Sequence, residues 1–341
     1  RESHASSPRQ TSHAAMPPIK MPTPESVVWP ALFASMPALT GKVIAITGCT
    51  TGTGFIAAKA CANKGATVLM LNRASERATA ALAKVQAEGK AEHVDCDLQD
   101  FASVRAAGAA LRSKYPDGID VLANNAGVMG FDDYSTKDGF DVQMQVNHLS
   151  HFLLTKEVMP LLEKKASATG EARIVNHSSG ARHGPPLEAK YFEAGLGGKL
   201  GGNGPGFTGP NFMRYHMTKL ANCVFTYELK RKLEARGSKI KVMVAEPGMA
   251  ATDLAGNMAS SSNEAVADIE NMQKILDKAQ SAEDGTAGLF RCMVDPTAQS
   301  GDFFGPSGMT GPAERKAEEP PLMDKEQGEL LWTMSVKAVG G

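Results

Sequence analysis

The sequence is poor in several features, and each shortage removes a class of function. Charge of one sign is not in excess: 36 Lys and Arg stand against 37 Asp and Glu, a formal net charge of −1. Nucleic acid and anionic membrane surfaces both call for a basic face, so neither is expected as a partner. No stretch approaches the roughly 20 apolar residues that cross a bilayer. The nearest, Ser26 to Leu39, is interrupted by Pro30 and Pro37. The cysteines (Cys49, Cys61, Cys96, Cys223, Cys292) are odd in number and form no CxxC. That pattern predicts reduced, mostly buried thiols in a reducing compartment, the cytoplasm or an organelle. No internal repeat is present, so solenoids and propellers are set aside.

What is there is an ordinary globular composition, 42% apolar and 21% charged. The length of 341 residues suffices for one large domain. The first twenty residues differ in kind: they carry Arg1, Arg9 and Lys20 with a single acid, Glu2. They fit a tag scar, a fragment boundary or a plastid or mitochondrial targeting remnant. Residues 1–22 are therefore read as an N-terminal extension, 23–305 as the main domain and 306–341 as a C-terminal extension.

Thr23-Pro24-Glu25 has the form of a helix start and predicts a short helix over 24–37. A regular alternation follows. Compact apolar runs near 43–46, 66–71, 91–95, 119–123, 171–177 and 239–245 read as strands, with a last one near 300–304. Helical stretches near 52–64, 75–88, 100–114, 137–164 and 212–236 separate them, and a terminal helix is expected over 328–337. This beat predicts an α/β fold: a Rossmann-type, doubly wound parallel sheet of about seven strands. Residues 180–211 break the beat with many Gly and Pro, and read as a lid insertion.

At the end of the first strand stands Thr47-Gly48-Cys49-Thr50-Thr51-Gly52-Thr53-Gly54. Glycines there allow a tight turn and let backbone approach a pyrophosphate at a helix N-terminus. Gly48, Thr50, Thr51, Gly52 and Gly54 are the candidate contacts. The second strand ends at Leu71-Asn72-Arg73, with no acid between Val68 and Ala74. An acid would suit the ribose 2′-hydroxyl of NAD, whereas arginine suits a 2′-phosphate, so NADP(H) is the expected cofactor, with Arg77 as a second cation. Asp97 and Leu98, after the third strand, are placed at the adenine pocket. Asn125, Ala126 and Gly127, in Asn124-Asn125-Ala126-Gly127, fall at the crevice where open α/β sheets bind ligands.

Tyr215 and Lys219 are four apart on a helix and share a face. An ammonium beside the phenol lowers the phenol pKa from ~10, which suits a general acid or base. Ser178-Ser179 ends the fifth strand, where a hydroxyl would hold a substrate oxygen. Asn147 is a helical amide expected to be buried, and such a group needs a role; it would pass protons from Lys219 to solvent through water. His148 and His151 lack a third ligand and read as packing residues, not a metal site. Neither serine lies in GxSxG, so a hydrolase elbow is not supported.

Together these motifs, in this order over roughly 40–305, resemble the short-chain dehydrogenase/reductase family: TGxxxGxG (Gly48, Gly52, Gly54), NNAG, a helical Asn (Asn147), the strand-end serines, YxxxK and Pro247-Gly248. Within the family the chain is similar to the retinol-dehydrogenase-like group, through Val146 to Phe152, Lys219 to Asn222 and Leu331-Trp332, and somewhat to light-dependent protochlorophyllide reductase. The resemblance implies an NADP(H)-dependent enzyme interconverting a small-molecule alcohol and carbonyl. In it Tyr215 is the acid/base, Lys219 binds the nicotinamide ribose, Ser179 orients the substrate oxygen and Asn147 anchors the relay water. Pro247, Gly248 and Thr252 would shape the nicotinamide and diphosphate side. Ser179 and Tyr215 are 36 residues apart, wider than usual for the family, and Glu246 puts an acid beside the nicotinamide pocket. Two other classes were weighed: a catalytically idle scaffold in a larger complex, and a nucleotide-sugar epimerase or dehydratase. A homo-oligomer is a further expectation. Specificity is expected to lie in 180–214 and 249–285.

Overall fold

The computed structural model describes residues 20–204, 209–254 and 273–340. Short apolar runs pair as parallel strands: β1 (Val43–Thr47), β2 (Thr67–Asn72), β3 (Ala91–Asp95), β4 (Val121–Asn124), β5 (Ala172–His177), β6 (Ile240–Ala245) and β7 (Phe303–Gly305). A two-residue strand, β8 (Glu314–Arg315), joins β7 antiparallel. The order is β3-β2-β1-β4-β5-β6-β7-β8, so the order reverses between β1 and β4. In open α/β sheets the ligand crevice lies at that reversal. The expectation of a doubly wound parallel sheet holds, with an eighth edge strand that is too short to read from sequence.

Helices cover both faces. They are α1 (Trp29–Ser35), α2 (Gly52–Asn63), α3 (Glu76–Gln86) and α4 (Phe101–Lys114), then α5 (Val142–Met144), which runs through a π-helical stretch at Gln145–Leu149 into α6 (Ser150–Thr169). After them come α7 (Pro210–Glu234), α8 (Ala282–Val294) and α9 (Lys325–Ala338). The strand interiors are buried, and two apolar layers form: α2 and α8 pack on one face, α4, α6, α7 and α9 on the other. A sheet buried on both faces explains why the strands read as continuous apolar runs rather than alternating ones.

Four expectations need correction. The first helix begins at Trp29, not at 24. Its start is capped from outside, since the Asp284 carboxylate accepts from the Ser26 hydroxyl and from the amides of Val27, Val28 and Trp29, all at 2.8–2.9 Å. Helix α8 was not foreseen. Residues 180–211, expected as a lid insertion, are packed onto the body where they are described: beyond Gly180 and Ala181, which line the cavity, the segment sends Leu187, Tyr191, Phe192 and Leu200 into the core. The Asp133 carboxylate pins it by accepting the amides of Gly198, Leu200 and Gly202 at 2.7–2.9 Å; residues 205–208 lie outside the described residues. Nor does the stretch from 306 stand apart as an extension. Leu322, Leu331 and Val339 join the same core, and the Ser335 hydroxyl meets His148 Nε2 at 2.9 Å. The N-terminal stretch 1–19 falls outside the described residues, as does 255–272 of the expected specificity segment.

Candidate active site

The ends of β1 and β4 are tied together before any ligand is considered. The Thr47 hydroxyl accepts the amides of Asn125 and Ala126, each at 3.0 Å. Gly48 follows in the left-handed region (φ 71°), and a Cβ there would lie 2.8 Å from Ala126. Gly54 is under a stricter constraint, because its Cβ would come within 2.3 Å of both Asn125 Nδ2 and Gly48 O. Only glycine fits such an approach. The Asn125 amide donates to the carbonyls of Thr47 (2.9 Å) and Gly48 (3.3 Å), which fixes its orientation. Its Oδ1 therefore accepts from the Thr53 hydroxyl (3.0 Å) and from His177 Nδ1–H (2.8 Å). The result is a glycine turn opening α2, whose first amides face a cavity of about 680 Å³ at the crevice. A helix N-terminus behind such a turn suits a pyrophosphate.

Where β2 and β3 end, the cavity is lined by Asn72, Arg73, Arg77, Asp97 and Leu98. Asn72 Oδ1 accepts the Cys49 amide at 2.7 Å, so β2 also shapes the glycine turn. Cys49 itself is sealed, its thiol pushed far up by burial. The Arg73 side chain is exposed and has no hydrogen-bond or ion-pair partner among the described residues. Arg77 is held 2.8 Å from Asp253. Asp97 turns inward to cap the Gln99 amide at 2.9 Å. Thr50, Thr51, Gly52, Gly127, Pro247, Gly248 and Thr252 line the same cavity, and a Cβ on Gly52 would meet Thr252 at 3.4 Å.

At the other end, α7 carries Tyr215 and Lys219 into the cavity, only 2% and 4% exposed. Burial pushes the Tyr215 phenol well above its ordinary pKa, and a hydrogen bond with Ser179 opposes this more weakly. The group that acts against burial here is the Ser179 hydroxyl. Burial also brings Lys219 down to about 8. Its Nζ donates to the His177 carbonyl at 3.1 Å.

The two serines part company. Ser178 donates to the Lys219 carbonyl at 2.7 Å and is structural, whereas Ser179 meets Tyr215. Asn147 lies in the π-helical stretch, and its amide is committed to protein. Oδ1 accepts the Val128 amide (2.8 Å), while Nδ2 donates to the Val128 carbonyl (2.8 Å) and the Thr218 hydroxyl (2.9 Å). Its carbonyl faces His151 Nδ1 at 3.0 Å. Asn147 thus joins the NNAG segment to the helix of Tyr215 and Lys219. π-Helical turns of this kind are frequent at functional sites.

The acid that precedes Pro247 now has an account. Glu246 is buried and paired with both Arg182 and Lys316. Arg182, equally buried, also pairs with Glu319 at 2.5 Å and donates to the Ser179 carbonyl at 3.1 Å. A charged cluster thereby fixes the turn that begins at Ser179. Sequence reasoning missed Arg182, Lys316, Glu319 and His177. The first three are 64 to 137 residues from their partners, and no local spacing signals that.

A doubly wound sheet with a glycine turn at its reversal and a Ser/Tyr/Lys cluster beside it defines a nucleotide-dependent oxidoreductase scaffold. The chain belongs to the short-chain dehydrogenase/reductase family, in its retinol-dehydrogenase-like group. The family model described as short chain dehydrogenase matches residues 42–194. A polyprenol dehydrogenase from Danio rerio is 30% identical over 309 residues, covering 89% of each chain. Human retinol dehydrogenase 13 is 29% identical over 322 residues, covering 90% of this chain and 87% of the relative. A crystal structure of an uncharacterized protein from Mycobacterium paratuberculosis superposes with a TM-score of 0.66 at 29% identity, over 90% of this chain and 96% of that one.

Proposed function

We propose that this protein is an NADP(H)-dependent oxidoreductase that interconverts a lipophilic alcohol and its carbonyl, with Tyr215 as acid/base. The observation that carries the reading is that buried Tyr215 and Lys219 share, with the half-buried Ser179, the cavity that also holds the glycine turn. The residues fit the cofactor: Gly48 and Gly54 leave the room a Cβ would fill, and Arg73 offers an unpaired guanidinium where β2 ends. Gly48, Thr50, Thr51 and Gly52 would hold the diphosphate, Arg73 a 2′-phosphate, Asp97 and Leu98 the adenine side. Lys219, Asn125 to Gly127, Pro247, Gly248 and Thr252 would hold the nicotinamide half. Bound there, the cofactor would supply the hydride for the reduction.

The chain's own part is to place and protonate the oxygen. The Ser179 hydroxyl hydrogen-bonds the substrate oxygen, and Tyr215, a phenol that holds its proton at neutral pH, gives it the proton that completes the alcohol. A buried ammonium nearby stabilises the phenolate left behind, and Lys219 is the one in reach. For oxidation the same groups act in reverse. The cavity lining also includes the apolar Val128, Met129, Phe212, Met249, Leu276 and Met309. Such a wall favours an apolar substrate, and the names of the two relatives, polyprenol and retinol dehydrogenase, point the same way. The test is turnover of a panel of long-chain and polyene aldehydes with NADPH. The reading fails if Tyr215→Phe turns over every accepted substrate at the parental rate.

A further inference from the structure

The two arginines on the adenosine side are not equivalent. Arg73 stands alone among the described residues, but Arg77 is paired: its Nη2 lies 2.8 Å from Asp253 Oδ2, and the same oxygen accepts from the Thr51 hydroxyl at 2.9 Å. The three residues come from separate edges of the cavity, and all line it. Thr51 belongs to the glycine turn, Arg77 to the first turn of α3, and Asp253 to the segment after β6. The carboxylate therefore ties the glycine turn to the start of α3 at the cavity that Arg73 also lines.

Both members of the Arg77–Asp253 pair are about half exposed, at 54% and 55%. A pair of that kind is weak and easily exchanged for another. A 2′-phosphate carries nearly two negative charges and several acceptor oxygens, so it competes with Asp253 for Arg77. While the carboxylate stays, it both occupies the guanidinium and repels the incoming anion. A ribose 2′-hydroxyl meets neither effect.

We propose that Asp253 sets the cofactor preference of this protein by holding Arg77 out of the 2′-phosphate site, leaving Arg73 as the standing contact. The inference rests on the NADP(H) reading and deepens it. It makes Asp253 a specificity residue whose removal strengthens binding, which is unusual for a residue lining a ligand cavity.

Binding of two fragments tests this without turnover: adenosine 2′,5′-bisphosphate, which carries the 2′-phosphate, and 5′-AMP, which lacks it. Both are titrated calorimetrically into the full chain and into Asp253→Asn, Arg77→Met and the double variant. In Asp253→Asn the bisphosphate is expected to bind more tightly by up to about fivefold, the range a single surface ion pair commands, with 5′-AMP unchanged. In the Arg77→Met background that gain is expected to disappear. An unchanged ratio of the two fragments in Asp253→Asn, or an equal gain for both, overturns the inference. The two readings fail separately. If the parent protein binds both fragments alike and Arg73→Ala is silent, the NADP(H) reading is lost. If the parent favours the bisphosphate and Asp253→Asn does not extend that preference, the inference alone is lost. Asp253→Ala, with unchanged circular dichroism, guards against an effect peculiar to asparagine.

Discussion

The Nζ of Lys219 lies 5.5 Å from the centre of the Tyr215 ring, one helical turn away, and donates to the carbonyl of His177 at 3.1 Å. The ammonium is therefore anchored to β5 and faces the phenol without being bonded to it. Phenylalanine at 215 removes the acid and leaves this anchor intact. Turnover is expected to fall about 10²- to 10⁴-fold, the usual contribution of a positioned acid/base, with cofactor affinity within a few-fold of the parent. Steady-state kinetics alongside a binding titration separates the two.

Burial lowers Lys219 to about 8, and this gives a pH signature. Below that value the side chain is an ammonium and available to the nicotinamide ribose; above it the charge is lost. Cofactor affinity is expected to weaken as pH rises through about 8, and the step is expected to vanish in Lys219→Met. Titrations from pH 6.5 to 9.5 check this.

Gly54 has no room to change. A methyl group would meet Asn125 Nδ2 and Gly48 O at 2.3 Å. Gly54→Ala is expected to cost about 1–3 kcal/mol of stability, as overpacking does, and to weaken cofactor binding more than tenfold by displacing the turn. Urea unfolding and a cofactor titration measure both.

The cluster around Glu246 is expected to tolerate single deletion poorly. Arg182→Met leaves Glu246 with Lys316 alone and Glu319 without its guanidinium partner. Breaking a buried ion pair from one side costs about 3–5 kcal/mol. Arg182→Met combined with Glu246→Gln is expected to lose less than the sum of the two single variants. A double-mutant cycle by chemical unfolding decides the point.

Acid stability follows from three buried histidines. Burial holds His148 and His177 near 3 and His151 near 4. Their folded values lie below the unfolded value of about 6.5, so the unfolded chain binds more protons in between. Stability is therefore full above about 6.5 and is lost as pH falls toward 4, at up to about 1.4 kcal/mol per pH unit for each histidine. Thermal melts from pH 7.5 to 4.5 are expected to show the steep fall, and His148→Phe to reduce its slope.

The legible parts of the molecule were those whose meaning is local. The glycine turn, NNAG and the Tyr215–Lys219 spacing each declare themselves within a few residues, and apolar runs mark the seven longer strands. The rest depends on contacts that spacing does not carry. Helix α8 was not foreseen, and it carries Gly285 and Gly288, residues that a helix interior disfavours. In the structure they admit close approach, since a Cβ on Gly285 would meet Ala250 at 2.4 Å and one on Gly288 the Phe304 carbonyl at 2.7 Å. The start of α1 was misplaced because its cap, Asp284, sits more than 250 residues away. The Gly/Pro-rich stretch read as a lid because its four buried apolar side chains have no period. Glu246 had no explanation until Arg182 and Lys316 were brought to it.

The central claim is hydride transfer to a carbonyl with Tyr215 as the proton donor. It is tested most directly with NADPH carrying deuterium at the transferable C4 position, incubated with a panel of apolar aldehydes and followed by mass spectrometry of the alcohol. The expected result is one deuterium on the carbinol carbon with the parent protein and none above background with Tyr215→Phe. Failure to label any alcohol, or equal labelling by the Tyr215→Phe variant, would contradict the account.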